Sequence, residues 1–131
     1  MAEGTFACAV NCMDGRTQEP VNAYLKQKLG VDYVDEITEP GPIKLLSENT
    51  DPRVESIKIR CDISLGKHNA VALAVVGHHD CAGDPVGKDV QLQQIAQAIK
   101  VLRSWYPDIP IYGLWVDDSW SVNEVAADEP Q

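Results

Sequence analysis

The chain has 131 residues, 44% of them hydrophobic and 24% charged, a length that suits one domain over residues 1–131 folding without disulfide or metal staples. Its 20 acidic against 11 basic residues leave a net charge of -9, which argues against nucleic acid or an anionic membrane as partner. No apolar run approaches the ~20 residues of a bilayer span, and Met1-Ala2-Glu3-Gly4 lacks the basic and apolar regions of a secretory leader, so a soluble, cytoplasmic protein is expected.

Thr5 to Asn11 (Thr-Phe-Ala-Cys-Ala-Val-Asn) is short and apolar and predicts a buried strand. Pro20 to Leu29 sets Val21, Tyr24, Leu25 and Leu29 on one helical face, with Gly30 as a stop signal. Val31 to Thr38 alternates as a second strand would, and the turn Glu39-Pro40-Gly41-Pro42 breaks it. Asp51-Pro52 reads as an N-cap followed by Pro at the first helical position. Val54, Ile57, Cys61 and Leu65 follow at helical spacing, and Gly66 is expected to end that helix. Ala70 to Val76 has no polar alternation, as in a strand covered on both faces. A helix from about Gly87 to Trp105 lines up Leu92, Ile95, Ile99 and Leu102, and a last strand runs from about Ile109 to Val116. From about residue 123 to Gln131 the chain is acidic, ends in Pro-Gln and reads as a loose tail.

The order βαβαβαβ predicts an α/β fold with a central, mostly parallel sheet flanked by helices. Ligands bind such sheets beyond the carboxyl ends of the strands, where neighbouring strands send their crossovers to opposite faces. Chemistry is therefore expected just after Val10, Thr38, Gly77 and Val116.

Two of those places hold unusual residues: Cys12-Met13-Asp14-Gly15-Arg16 and Gly77-His78-His79-Asp80-Cys81-Ala82-Gly83. If the first and third strands are neighbours, Cys12, His78 and Cys81 converge from two loops. Two thiolates and one imidazole suit tetrahedral zinc and leave its fourth position open, the catalytic arrangement. Spacing alone does not separate this reading from isolated thiols, and His79 or Asp80 could replace His78. Cys8 and Cys61, inside apolar segments, read as small core side chains. Asp14 and Arg16 read either as a surface ion pair or as a carboxylate held beside the metal. In the second case Asp14 either accepts a hydrogen bond from a bound water or fills the fourth position itself. The segment Gly83-Asp84-Pro85-Val86-Gly87-Lys88-Asp89 is one residue too short between its glycines for a phosphate loop. Trp105, Tyr106, Trp115 and Trp120 read as core or subunit-contact residues, not as a base-stacking platform.

Cys12-Met13-Asp14-Gly15-Arg16 resembles the Cys-x-Asp-Ser-Arg signature of β-class carbonic anhydrases, and Gly77-His78-His79-Asp80-Cys81 their Gly-His-x-x-Cys signature. The resemblance extends to the apolar strand before His78 and to Ile111-Tyr112-Gly113-Leu114-Trp115-Val116-Asp117, and covers most of residues 5–125 of what would be a short, divergent member. It implies a parallel sheet with an added antiparallel edge strand, and a homodimer or higher homo-oligomer. It also implies Zn2+ on Cys12, His78 and Cys81 with Asp14 and Arg16 as the catalytic dyad. The implied reaction is reversible hydration of carbon dioxide to bicarbonate by a metal-bound hydroxide. Hydrolysis of carbonyl sulfide or carbon disulfide at the same site, or zinc binding without catalysis, are the competing expectations; a metal-free thiol redox role lacks the Cys-x-x-Cys spacing. Where the family generally shows Arg-Asn-Ala-Gly after the second strand, this chain has Thr38-Glu39-Pro40-Gly41.

Overall fold

In the computed structural model, residues 3–130 are described, and Met1, Ala2 and the tail's last residue, Gln131, lie outside them. The elements are β1 (Phe6–Cys12), α1 (Gly15–Leu29), β2 (Tyr33–Glu39), α2 (Pro42–Glu48), α3 (Arg53–Lys67), β3 (Leu73–His78), α4 (Lys88–Trp105), β4 (Ile111–Val116) and β5 (Val122–Asp128). The strands form one sheet in the order β2-β1-β3-β4-β5. The first four are parallel, and β5 runs antiparallel to β4.

Alternation along the central strands divides the core into two layers. Cys8, Val10, Leu73 and Val75 face one way, with Ile43, Leu46, Ile57, Cys61, Ile95 and Leu102 from α2, α3 and α4. Ala9, Ala74, Val76, Leu114 and Val116 face the other way, toward Val21 and Leu25 of α1. The crossover from β1 thus leaves on one face and that from β3 on the opposite face, which opens a crevice at the carboxyl ends of these neighbours. Cys8 and Cys61 are fully buried in the first layer as free thiols.

Helix α1 starts at Gly15, five residues before the predicted Pro20. The Asp14 carboxylate accepts from the Arg16 backbone N–H at 2.9 Å and caps the helix. Pro20 lies inside, where its missing N–H costs one intrahelical bond. Helix α3 runs through Gly66 to Lys67, because Gly66 does not take the left-handed conformation of a glycine cap and the chain stays helical until His68. Helix α2 is unexpected: Gly41 adopts φ 60°, Pro42 takes the first helical position, and Ile43, Leu45 and Leu46 are buried. The predicted turn is thus the N-terminal boundary of a helix.

The segment expected to be loose from about residue 123 forms β5 from Val122 to Asp128. Sheet pairing is made by the main chain, so acidic side chains do not prevent it, and here they find partners. Glu124 accepts from Lys28 Nζ at 2.7 Å, and Asp128 accepts from Arg103 Nε at 2.7 Å. Trp115 is buried, while Trp105 and Tyr106 pack partly exposed against the core.

Candidate metal centre

Cys12 ends β1 and His78 ends β3, and Cys81 lies in the loop that follows. Their ligand atoms all lie within 4.8 Å of one another, and all three residues are buried. The two sulfurs are 3.9 Å apart and unbonded. His78 Nδ1–H donates to the His79 carbonyl at 2.7 Å, since a carbonyl can only accept. When the ring is neutral its lone pair is then on Nε2, which is buried without any hydrogen-bond partner. An orphaned imidazole nitrogen beside two sulfurs fits a soft divalent cation, zinc above all. His79 and Asp80, the alternative ligands, are exposed, and Asp80 instead faces Arg16.

Main-chain donors stabilise negative charge on the sulfurs. The Cys81 thiol, above all, holds Cys12 down to about 4 against the opposing effect of burial, with His78 and the backbone N–H groups of Gly41 and Asp14 acting the same way. Cys81 is pushed up, first by the facing Cys12 thiolate, while the N–H groups of Gly83 and Asp84 pull it down. Burial lowers the basicity of His78, but the Cys12 thiolate and the His79 carbonyl outweigh it and the net direction is upward.

The backbone of Cys12 is clamped on both sides. Its N–H donates to Asn11 Oδ1 at 2.8 Å and its carbonyl accepts from Gln18 Nε2 at 2.7 Å. Gly41 and Gly83 bring the loop after β2 against the Cys81 loop. A Cβ on Gly83 would lie 2.5 Å from the Pro40 carbonyl carbon, and one on Gly41 would lie 2.8 Å from that of Gly83. Asn11, Gln18, Gly41 and Gly83 were not singled out from sequence as site residues; the glycines after β2 and Cys81 were the available signal.

Asp14 and Arg16 form a built pair. Arg16 Nη2 lies 2.6 Å from Asp14 Oδ2, and Nε donates to Oδ1 at 3.0 Å. The guanidinium holds the Asp14 carboxyl down to about 2, so it is an anion and only accepts. Arg16 also donates to the Asp80 carbonyl at 3.1 Å and lies 4.4 Å from the Trp120 ring centre. Trp120 takes φ 59°, a strained setting for a bulky residue, in a turn organised by the Asp117 carboxylate, which accepts from the N–H groups of Ser119 and Ser121. Its ring centre is 6.3 Å from that of His78. In Thr38-Glu39-Pro40-Gly41, the segment that departs from the family's Arg-Asn-Ala-Gly, the Glu39 carboxylate pairs with Arg60 of α3, so the end of β2 brings no unbalanced charge to the site.

A family model described as "Putative carbonic anhydrase" matches residues 2–126. The fold is similar to that of a β-carbonic anhydrase from Trichomonas vaginalis, at 16% identity over 91% of this chain and 81% of that one, with a TM-score of 0.62. A carbonic anhydrase from Streptococcus mutans aligns at 20% identity over 92% and 81% of the two chains, TM-score 0.63. The apo form of a carbon disulfide hydrolase aligns at 14% identity over 89% and 76%, TM-score 0.59. No curated protein matches the sequence.

Proposed function

Because the chain belongs to the β-carbonic anhydrase family, we propose that it hydrates carbon dioxide reversibly to bicarbonate as a zinc-dependent homo-oligomer. The observation that carries this reading is the convergence of Cys12 Sγ, Cys81 Sγ and an unpartnered His78 Nε2 next to an oriented carboxylate. Cys12, His78 and Cys81 would hold the metal, which when bound lowers the pKa of water and so makes hydroxide available near neutral pH.

The roles of the protein groups follow from their geometry. The Asp14 carboxylate, fixed by Arg16 and ionised throughout the working range, accepts a hydrogen bond from the attacking oxygen and orients its lone pair toward the carbon. Its oxygens are engaged by Arg16, which supports the arrangement with the fourth position left for water over the one with Asp14 as fourth ligand. Trp120 and Asp80 keep Arg16 in place, and Trp120 supplies an apolar wall suited to a small linear substrate. Two thiolate ligands leave less positive charge on the metal than three imidazoles would, so activity rises toward alkaline pH. Carbon disulfide or carbonyl sulfide is the competing substrate, favoured by the fold shared with a carbon disulfide hydrolase.

Stopped-flow hydration assays on zinc-quantified protein test the proposal. Wild type is expected to turn over carbon dioxide. Cys12→Ser is expected to lose zinc and activity together. Asp14→Ala is expected to keep zinc and lose at least ~100-fold in rate. One zinc per chain with no carbon dioxide turnover at any pH overturns the lyase reading, and sulfide release from carbon disulfide in the same preparation would establish the competing one.

A further inference from the structure

The peptide between His78 and His79 is pinned on both sides. Its N–H donates to the Val116 carbonyl at 2.8 Å, and its carbonyl accepts from Gln91 Nε2 at 2.9 Å. The next carbonyl, that of His79, receives His78 Nδ1–H. The orientation of the imidazole thus depends on a short stretch of main chain that one side chain of α4 holds in place.

Gln91 is itself fixed. It is 1% exposed, and its Oε1 accepts from Trp115 Nε1 at 3.2 Å. The amide has therefore one possible orientation, because Oε1 must face the indole N–H and Nε2 the carbonyl. Lys88 Nζ lies 4.8 Å from the Trp115 ring centre on the outer side. Gly77 makes the room: a Cβ there would lie 2.7 Å from Gln91 Oε1. The glycine before His78 thus has a specific physical reason in this chain, since any side chain would push the amide off the histidine carbonyl.

We propose that Gln91, seated by Trp115, is a positioning residue that sets the His78 imidazole for zinc. It touches neither metal nor substrate and acts through the His78–His79 peptide. The inference rests on the assignment of His78 as a zinc ligand and adds to it the group that holds that ligand. Loss of such an outer contact typically costs ~10–100-fold in metal affinity.

The test is zinc affinity of the purified full chain, measured by competition with a chromophoric chelator, together with the visible spectrum of the Co2+-loaded protein. Gln91→Met keeps length and volume but removes both hydrogen bonds. It is expected to weaken zinc binding ~10-fold or more and to shift the cobalt bands. Trp115→Phe removes the indole N–H together with the five-membered part of the ring system; it is expected to weaken zinc ~3-fold and, set against a core truncation of similar cost in stability, it carries the test if Gln91→Met fails to fold. Ile99→Val, a core truncation on the same helix away from His78, is the control for general loosening and is expected to leave affinity and spectrum unchanged. If Gln91→Met and Trp115→Phe bind zinc within twofold of wild type, or if Ile99→Val weakens it as much for the same lost stability, the positioning role is overturned. Wild type that binds no zinc overturns the ligand assignment as well, which keeps the two failures apart.

Discussion

Glu36 lies on β2 between Asp35 and Ile37, and both its carboxylate oxygens are buried without a hydrogen-bond partner. Strand alternation turns it toward α1, as it does Val34. Burial pushes its carboxyl up to about 7, against the weaker opposing pull of the Asn11 amide. Between the ordinary carboxylate range and about pH 7 the folded chain thus holds a proton that the unfolded chain has released. Folding is favoured below that window, and the contribution is lost as pH rises through it. Glu36→Gln removes the ionisation. It is expected to stabilise the protein at pH 8 by on the order of 3 kcal/mol, with the gain shrinking to near zero by pH 4. Urea denaturation of both proteins at the two pH values measures this. Equal gain at both would mean that packing, and not the proton, is responsible. Asp14 behaves oppositely: Arg16 holds it down to about 2, so it stays charged until the pH falls to that region.

At the scale of elements, the site exists because two loops interlock through Gly41 and Gly83 at the ends of β2 and β3. Gly83→Ala forces a methyl against the Pro40 main chain and is expected to cost ~1–3 kcal/mol. It should also weaken zinc binding, since both loops direct N–H groups at the sulfurs. Gly66→Ala is the contrast: nothing lies within 4 Å inside helix α3, so it should be neutral or stabilising by up to ~1 kcal/mol. Denaturant titrations of both variants distinguish a crowded from an open glycine. The same elements show what a sequence carries on its face. Cys12, Asp14, Arg16, His78 and Cys81 were legible because each motif is contiguous and falls at a strand end. The parallel order was legible because Ala70 to Val76 has no polar alternation. Helix α2 was missed because Pro40-Gly41-Pro42 signals a turn as readily as a helix start. Gln18 and Gln91 were missed because a glutamine within a helix looks like a solvated face until the fold turns it inward.

For the whole molecule, the decisive question is how the sheet ends at β4, whose inner face carries Leu114 and Val116 into the core. Strand β5 covers that edge through six residue pairs with one irregularity between Gly113 and Leu114. It is also tied to both helical layers, to α1 through Lys28–Glu124 and to α4 through Arg103–Asp128. Ala126 packs against the main core. A truncation after Ser121 would therefore remove more than a polar tail. Each ladder bond contributes about 0.5–1.5 kcal/mol, and the uncovered β4 would offer an unpaired edge to other chains. The same cut deletes Glu124, Asp128 and Glu129 and no basic residue, which lowers the charge repulsion that opposes association. Both effects act in one direction: the truncated protein is expected to melt at least ~10 °C lower and to aggregate at concentrations where the full chain does not. Calorimetry and light scattering on the two chains decide it. An unchanged melting temperature would show that residues 122–131 are a loose appendage, and that the core of this sheet is complete with its four parallel strands.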